Sequence, residues 1–252
     1  MMHKLLTLLL FFSFAGSSLS QEAPELFKQA NQLYQQNKYE QAVAFYDSIL
    51  ATGLESGELY FNLGNAYYKM GKLGLARLNY ERSAKFLKND PALSENMELL
   101  KLQLVDKIQT PPKFILYAWN ELLLEMFSTK MLSWIVVGLL WMVLLSAALW
   151  QFYLKRRREE RFRKLFISSL IIFLIVSLLL AQKIYRAETE KFGVVLEPSV
   201  TLYAEPSSTG TEIFILHEGT KMRIIRIKDN WMEIRLKDGK TGWIEKSHLQ
   251  VI

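Results

Sequence analysis

Cysteine is absent from the chain, which rules out disulfides, thiolate metal sites and a lipid attached through an N-terminal cysteine. Histidine is scarce: His3 lies at the amino end, His217 in a strand-turn pattern and His248 near the carboxyl end. None has a second histidine or a carboxylate at metal-ligand spacing, so no metal and no other cofactor is expected. Glycine-rich phosphate loops and nucleophile elbows are lacking too, because GKLG and GKTG do not have the required flanks. These absences predict a protein that is not an enzyme.

Positive charge is missing where nucleic-acid binding would need it. Of a formal net charge of +6, residues 155–164 alone carry +5, whereas residues 21–110 sum to −1 and residues 165–252 to +1. The long segments offer no electropositive face to a phosphate backbone, which excludes nucleic acid as a partner.

Charge is wholly absent from two further stretches. Residues 131–154 run uncharged between Lys130 and Lys155, and residues 165–182 between Lys164 and Lys183. As helices they would reach about 36 Å and about 27 Å, against a hydrocarbon core of about 30 Å. Both are transmembrane candidates, with the lipid bilayer as their partner. The segment between them, KRRREERFRK at 155–164, reads as the turn of a helical hairpin. Its Lys155, Arg156, Arg157, Arg158, Arg161, Arg163 and Lys164 would hold that turn in the cytoplasm.

Residues 1–20 order basic, apolar and small regions as a secretory signal does, with an apolar run from Leu5 to Ala15 too short to span, and predict a mature chain from Gln21. Signal and basic turn agree on one topology, in which residues 21–130 and 183–252 are both exported. Before the first span, Pro111 and Pro112 break the preceding helix. Residues 111–130 then mix Phe114, Tyr117, Trp119 and Phe127 with Glu121 and Glu125. That pattern fits a linker helix in the membrane interface, or equally one packed on the soluble domain.

Residues 23–90 repeat with a period of 34, setting Leu26 against Tyr60, Ala30 against Gly64, Leu33 against Tyr67, Ala42 against Ala76 and Tyr46 against Tyr80. Period and pattern resemble the tetratricopeptide repeat. The second unit departs near its end, where Asp90 and Pro91 come late, so its second helix is expected to run longer. ALSENMELLKLQLVDKI keeps an apolar stripe through Leu93, Met97, Leu100 and Leu104, as a capping helix would, and closes a domain over 21–110. The resemblance implies a peptide-binding groove at Phe27, Asn31, Tyr34 and Gln35, then Phe61, Asn65, Tyr68 and Lys69.

After a linker at 183–191, residues 192–252 change period. Short β-branched runs divided by Pro198, Pro206, Gly219, Asp229-Asn230 and Asp238-Gly239 predict about five strands in a small barrel. VTLYAEPS, LHEGTKMRII, DNWMEIRL and DGKTGWIEKSHL resemble the bacterial SH3 domain in order and spacing. That resemblance places Tyr203 and Trp231 in an SH3-like groove, with Glu245 and His248 where proline-helix binders have proline and tyrosine. Trp243, followed by Ile244, is expected in the core.

The expected fold class is therefore multidomain, α then β: tetratricopeptide-like repeats, a two-helix transmembrane hairpin and an SH3-like β-barrel. This combination resembles the BatE-type proteins of the bacterial aerotolerance operon. The resemblance implies an inner-membrane, multi-pass protein with both soluble domains in the periplasm. It would be a protein-protein interaction scaffold whose partners are envelope membrane proteins, some with von Willebrand A domains. The alternative is an envelope sensor or anchor whose SH3-like domain binds peptidoglycan.

Overall fold

The computed structural model describes residues 23–112, 114–153 and 159–252. The expected signal at 1–20 and the basic residues Lys155, Arg156, Arg157 and Arg158 lie outside the described residues. The chain divides into two compact units: the chain up to Thr110 together with Lys191–Ile252, and Pro111–Glu190.

Among the described residues, the first unit has five helices ahead of its strands: α1 (23–35), α2 (Tyr39–Ala51), α3 (Gly57–Lys69), α4 (Leu73–Phe86) and α5 (Pro91–Gln103). Local signals set their limits. The Ser56 side chain accepts from Leu59 N–H to cap α3, and Asp90 caps α5 by accepting from Leu93 N–H with Pro91 in the first turn. Lys38 N–H donates to Leu33 O and Lys72 N–H to Tyr67 O, closing the ends of α1 and α3. The preceding residues, Asn37 and Gly71, take φ of 60° and 73°, the left-handed conformation that such helix ends require.

Packing repeats at the sequence period. Asn31 Oδ1 accepts from Tyr46 Oη at 2.6 Å and Asn62 Nδ2 at 3.0 Å. Thirty-four residues on, Asn65 Oδ1 accepts from Tyr80 Oη at 2.7 Å and Asn96 Nδ2 at 2.8 Å. Phe27 meets Tyr46 and Phe61 meets Tyr80 with ring centroids 5.9 and 6.1 Å apart. The chain therefore contains helical repeats. Ala30, Ala42, Tyr46, Leu59 and Leu63 form one core, while Ala76, Tyr80, Leu93, Leu100 and Leu104 form the next, which α5 covers. A Cβ on Gly64 would approach the Tyr80 ring to 2.6 Å, so this position admits only glycine unless the ring moves.

The carboxy-terminal part of the same unit is a sheet of β1 (Lys191–Val195), β2 (Ser199–Tyr203), β3 (Glu212–His217), β4 (Lys221–Lys228), β5 (Trp231–Arg235), β6 (Thr241–Glu245) and β7 (Leu249–Val251). Every neighbouring pair is antiparallel, in the order β3-β2-β6-β5-β4-β1-β7. Alternation sends Val200, Leu202, Met222, Ile224, Met232, Ile234 and Ile244 to one face, where they form its core. The expected barrel of about five strands is corrected in number and closure: seven strands form, and β3 and β7 remain edges. Irregular register at Leu202/Tyr203 and at Ile224/Arg226 marks bulges, which bend the strands over the apolar face without hydrogen-bonded closure.

Helices and sheet are joined by buried charge. Arg77 and Glu81, only 8% and 9% exposed in their side chains, pair at 2.6 Å, and Lys221 of β4 reaches the other Glu81 oxygen at 2.6 Å. Asp106 accepts from His217 N–H at 2.8 Å and Thr220 Oγ1 at 2.6 Å, and lies 2.9 Å from His217 Nδ1. Gly74 permits close approach, since a Cβ there would come within 2.8 Å of Val195 O.

The second unit holds α6 (Ile115–Met126), α7 (Thr129–Tyr153) and α8 (Glu159–Thr189). Residues 159–164, expected in the basic turn, are instead the first turns of α8, and the expected linker at 183–191 is helical through Thr189. Neither stretch has a helix-breaking residue, so charge alone does not end the helix. The contacts between α7 and α8 run antiparallel: Ser146 Oγ lies 3.0 Å from Ser169 Oγ, Trp150 stacks on Phe166 at 5.4 Å, and Tyr153 on Phe162 at 4.5 Å. Lys183 donates to Leu124 O and Phe127 O, satisfying carbonyls at the end of α6.

The buried triad sets an expectation for acid. Burial opposes ionisation of Glu81, but the Arg77 and Lys221 charges outweigh it and hold its carboxyl below the usual carboxylate range. Burial likewise opposes ionisation of Asp106, and hydrogen bonds from His217 and Thr220 bring it below that range. Both groups are lowered in the fold. Their stabilisation is therefore present above the unfolded values of about 4 and is lost as pH falls through the folded values. Glu81→Ala should cost about 3–5 kcal/mol at neutral pH by leaving two cations without their partner, and should flatten the acid side of the stability profile. Denaturant unfolding of the full chain from pH 7 to pH 3 checks both; an unchanged acid limb would show that Glu81 does not set it.

Candidate functional site

Two surfaces carry the residues expected to bind. In the helical repeats, Tyr34, Asn65, Tyr68 and Lys69 line one pocket of about 260 Å³ together with Tyr80, Asn96 and Leu99. Gln35 is exposed and is not among that lining, and Asn31 belongs to the preceding hydrogen-bonded cluster. The carbonyl oxygens of Asn31 and Asn65 are both engaged between helices. Tyr34 meets Tyr39 edge-on at 5.3 Å, and burial, with Tyr39 beside it, pushes its hydroxyl pKa up. Tyr68 accepts from the Gln103 amide. Phe27 and Phe61 pack in the helical cores. The pocket thus presents aromatic edges and one exposed ammonium, Lys69, a surface suited to a peptide carbonyl or carboxylate.

On the sheet, Tyr203 and Trp231 come together edge-to-face, with centroids 5.6 Å apart and planes at 88°. Tyr203 is opposite Trp243, Trp243 opposite Glu233, and Trp231 opposite Glu245. Directly opposed residues share a face, so these three aromatics lie on the side away from Ile244 and the core. Trp243 is buried as expected, only 7% exposed, but it stands outside the Ile244 cluster on the other face of the sheet, with the Arg226 guanidinium 5.2 Å from its ring. Arg226 also pairs with Glu233. His248 Nδ1 lies 2.7 Å from Glu197 and its Nε2 3.9 Å from Glu245, placing the two departures from the proline-binding pattern in one small polar cluster. Aromatic edges bordered by an arginine and carboxylates can stack on an apolar or sugar-like face while making polar contacts at the rim.

Residues 197–250 match the family described as bacterial SH3 domain. The matched residues hold β2 to β6, the start of β7 and the whole aromatic face. No curated protein matches the chain. Among solved structures, an NlpC/P60 family protein from Bacillus cereus ATCC 10987 is similar at 20% identity over 28% of this chain and 23% of its own, with a TM-score of 0.22. The chain therefore spans less than a quarter of the length of that structure.

Sequence reasoning brought out Tyr203 and Trp231 but missed Arg226 and the outward place of Trp243. Strict alternation from Ile244, a core residue, would have found the latter. The aromatic face gives a stability test. Trp243→Ala should cost about 3–5 kcal/mol, and Trp231→Ala, at a half-exposed ring, clearly less. Unfolding of the two full-length variants checks this, and the reverse ranking would interchange the roles of the rings.

Proposed function

We propose that the chain is a non-catalytic scaffold anchored in the bacterial inner membrane, similar in kind to the BatE-type proteins, whose repeats and SH3-like sheet face the periplasm and hold envelope proteins there. One observation carries the anchoring: the chain up to Thr110 and Lys191–Ile252 form a single compact unit joined through Glu81, Lys221, Asp106 and His217. Segments that share a buried interface must lie on the same side of a bilayer, so whatever spans it between them does so an even number of times. Among the described residues, Thr129–Tyr153 and the helix ending at Thr189 are the two helices long and apolar enough to cross. Large apolar side chains on both remain outward, Trp141 at 69% and Leu178 at 71% exposed, as lipid-facing residues are. Arg161, Arg163 and Lys164 begin the second of these helices, and the positive-inside rule orients that end toward the cytoplasm.

In this reading the helical pocket is a groove of tetratricopeptide type that takes an extended segment of an envelope protein, of which membrane proteins with von Willebrand A domains are the expected class. Tethering to the bilayer would compensate for the small area of the groove. A second reading, in which the sheet binds peptidoglycan, is favoured by the match to the bacterial SH3 domain and by the exposed side of the Tyr203–Trp231 pair.

Because the chain has no cysteine, sidedness can be read with single introduced thiols. Lys88→Cys and Lys240→Cys, both at exposed positions, should each react with a membrane-impermeant maleimide added to spheroplasts. Reaction of one and not the other would overturn the shared topology. For the groove, Lys69→Glu should lower co-purification of membrane partners while leaving the protein's level unchanged. If recovery persists, while saturable binding of the full chain to isolated cell wall is lost in Trp231→Ala, the second reading stands instead.

A further inference from the structure

A second pocket, of about 300 Å³, lies where α5 and the chain after it meet the sheet, and its chemistry differs from both surfaces above. Five cations line it: Arg77, Lys101 and Lys107 from the helical part, Lys221 and Lys237 from the sheet. The one carboxylate in that lining, Asp106, has its oxygens engaged by His217 and Thr220. Glu81 answers only one of the two charges it touches, Arg77 and Lys221. Glu98 answers Lys101 at the exposed rim. Lys107 donates to Lys101 O at 2.8 Å and Leu102 O at 2.9 Å, contacts that position its ammonium without neutralising it. Lys237 forms no ion pair among the described residues. Desolvation lowers its pKa, and the Lys221, Arg77 and Lys101 charges lower it further against the opposing pull of Glu81. The five cations outnumber the carboxylates Glu81, Glu98 and Asp106 by two, so the local field is positive.

Excess cations around a concave site attract a compact polyanion, and lysines act there as point charges suited to phosphate oxygens. Leu104 and Ile108 supply an apolar wall beside them. We propose that this pocket is a phosphate-binding site that takes the phosphoryl group of a small ester, with the ester's neutral part against Ile108. The group could be carried by an anionic lipid headgroup or by a soluble phosphorylated molecule; the chemistry of recognition is the same. This site is separate from the peptide groove, whose lining shares none of its residues.

The full chain tests it in two arms. In uncharged detergent at low salt, calorimetric titration with inorganic pyrophosphate reads a soluble ligand. In nanodiscs of phosphatidylcholine with or without phosphatidylglycerol, hydrogen-exchange protection at residues 101–110 and 219–237 reads a headgroup. Saturable pyrophosphate binding assigns the soluble source, and protection only with phosphatidylglycerol assigns the lipid. In whichever arm responds, Lys101→Gln with Lys237→Gln should weaken the response at least tenfold, while Lys237→Arg, which keeps the charge, should retain it. No saturable response of the unsubstituted chain in either arm would overturn the proposal. So would a response that the double substitution leaves unchanged.

Discussion

Glu81 is the constraint on which the rest of the first unit depends. It belongs to α4, is almost fully buried, and is ionised because Arg77 from its own helix and Lys221 from β4 both reach it. A buried carboxylate with one partner removed costs several kcal/mol. Lys221 lies 140 residues further along the chain. The helical part therefore carries on its surface an acidic group that only the carboxy-terminal sheet can satisfy fully. Asp106 repeats this logic with partners 111 and 114 residues away, and Gly74, lacking a Cβ, lets α4 come close to Val195. The sheet thus serves as a wall of the repeat array as well as a module in its own right.

Ionic joining also makes the union directional. Apolar patches can slide, whereas Glu81 and Asp106 have their lone pairs assigned to named donors, so helices and sheet meet in one register. The cationic pocket follows from that register. Arg77, Lys101 and Lys107 come from one segment, Lys221 and Lys237 from the other, and the convergence of charge exists only once the two segments have met.

What could be read in the sequence follows the range of each interaction. The period of 34 was legible because the same hydrogen-bonded set, Asn31 with Tyr46 and Asn62, recurs as Asn65 with Tyr80 and Asn96. The role of those asparagines was not, since an inward amide looks alike whether it faces a ligand or a neighbouring helix. Strand positions were legible from alternation; closure was not, because it depends on register and bulges such as that at Ile224/Arg226. The length of α8 exceeded its apolar run because arginine, lysine and glutamate are good helix formers on either side of it. The Glu81–Lys221 joint left no local trace, as no spacing rule connects residues so far apart.

The insertion of residues 111–190 between two segments of one unit has an energetic consequence for both units. The hairpin of α7 and α8 is held by a serine pair and two stacked ring pairs. Joining the chain before Thr110 to that after Lys191 closes residues 111–190 into a loop, which removes much of the entropy the hairpin would otherwise lose. The converse also holds. The helical repeats are complete before the sheet is synthesised, and their acidic groups Glu81 and Asp106 wait for distant partners. The antiparallel pair of α7 and α8 keeps the sheet within tethered reach, which raises its effective concentration for that joint. The same closure acts on the joint itself, because the charged contacts between α4 and β4 fix both ends of residues 111–190.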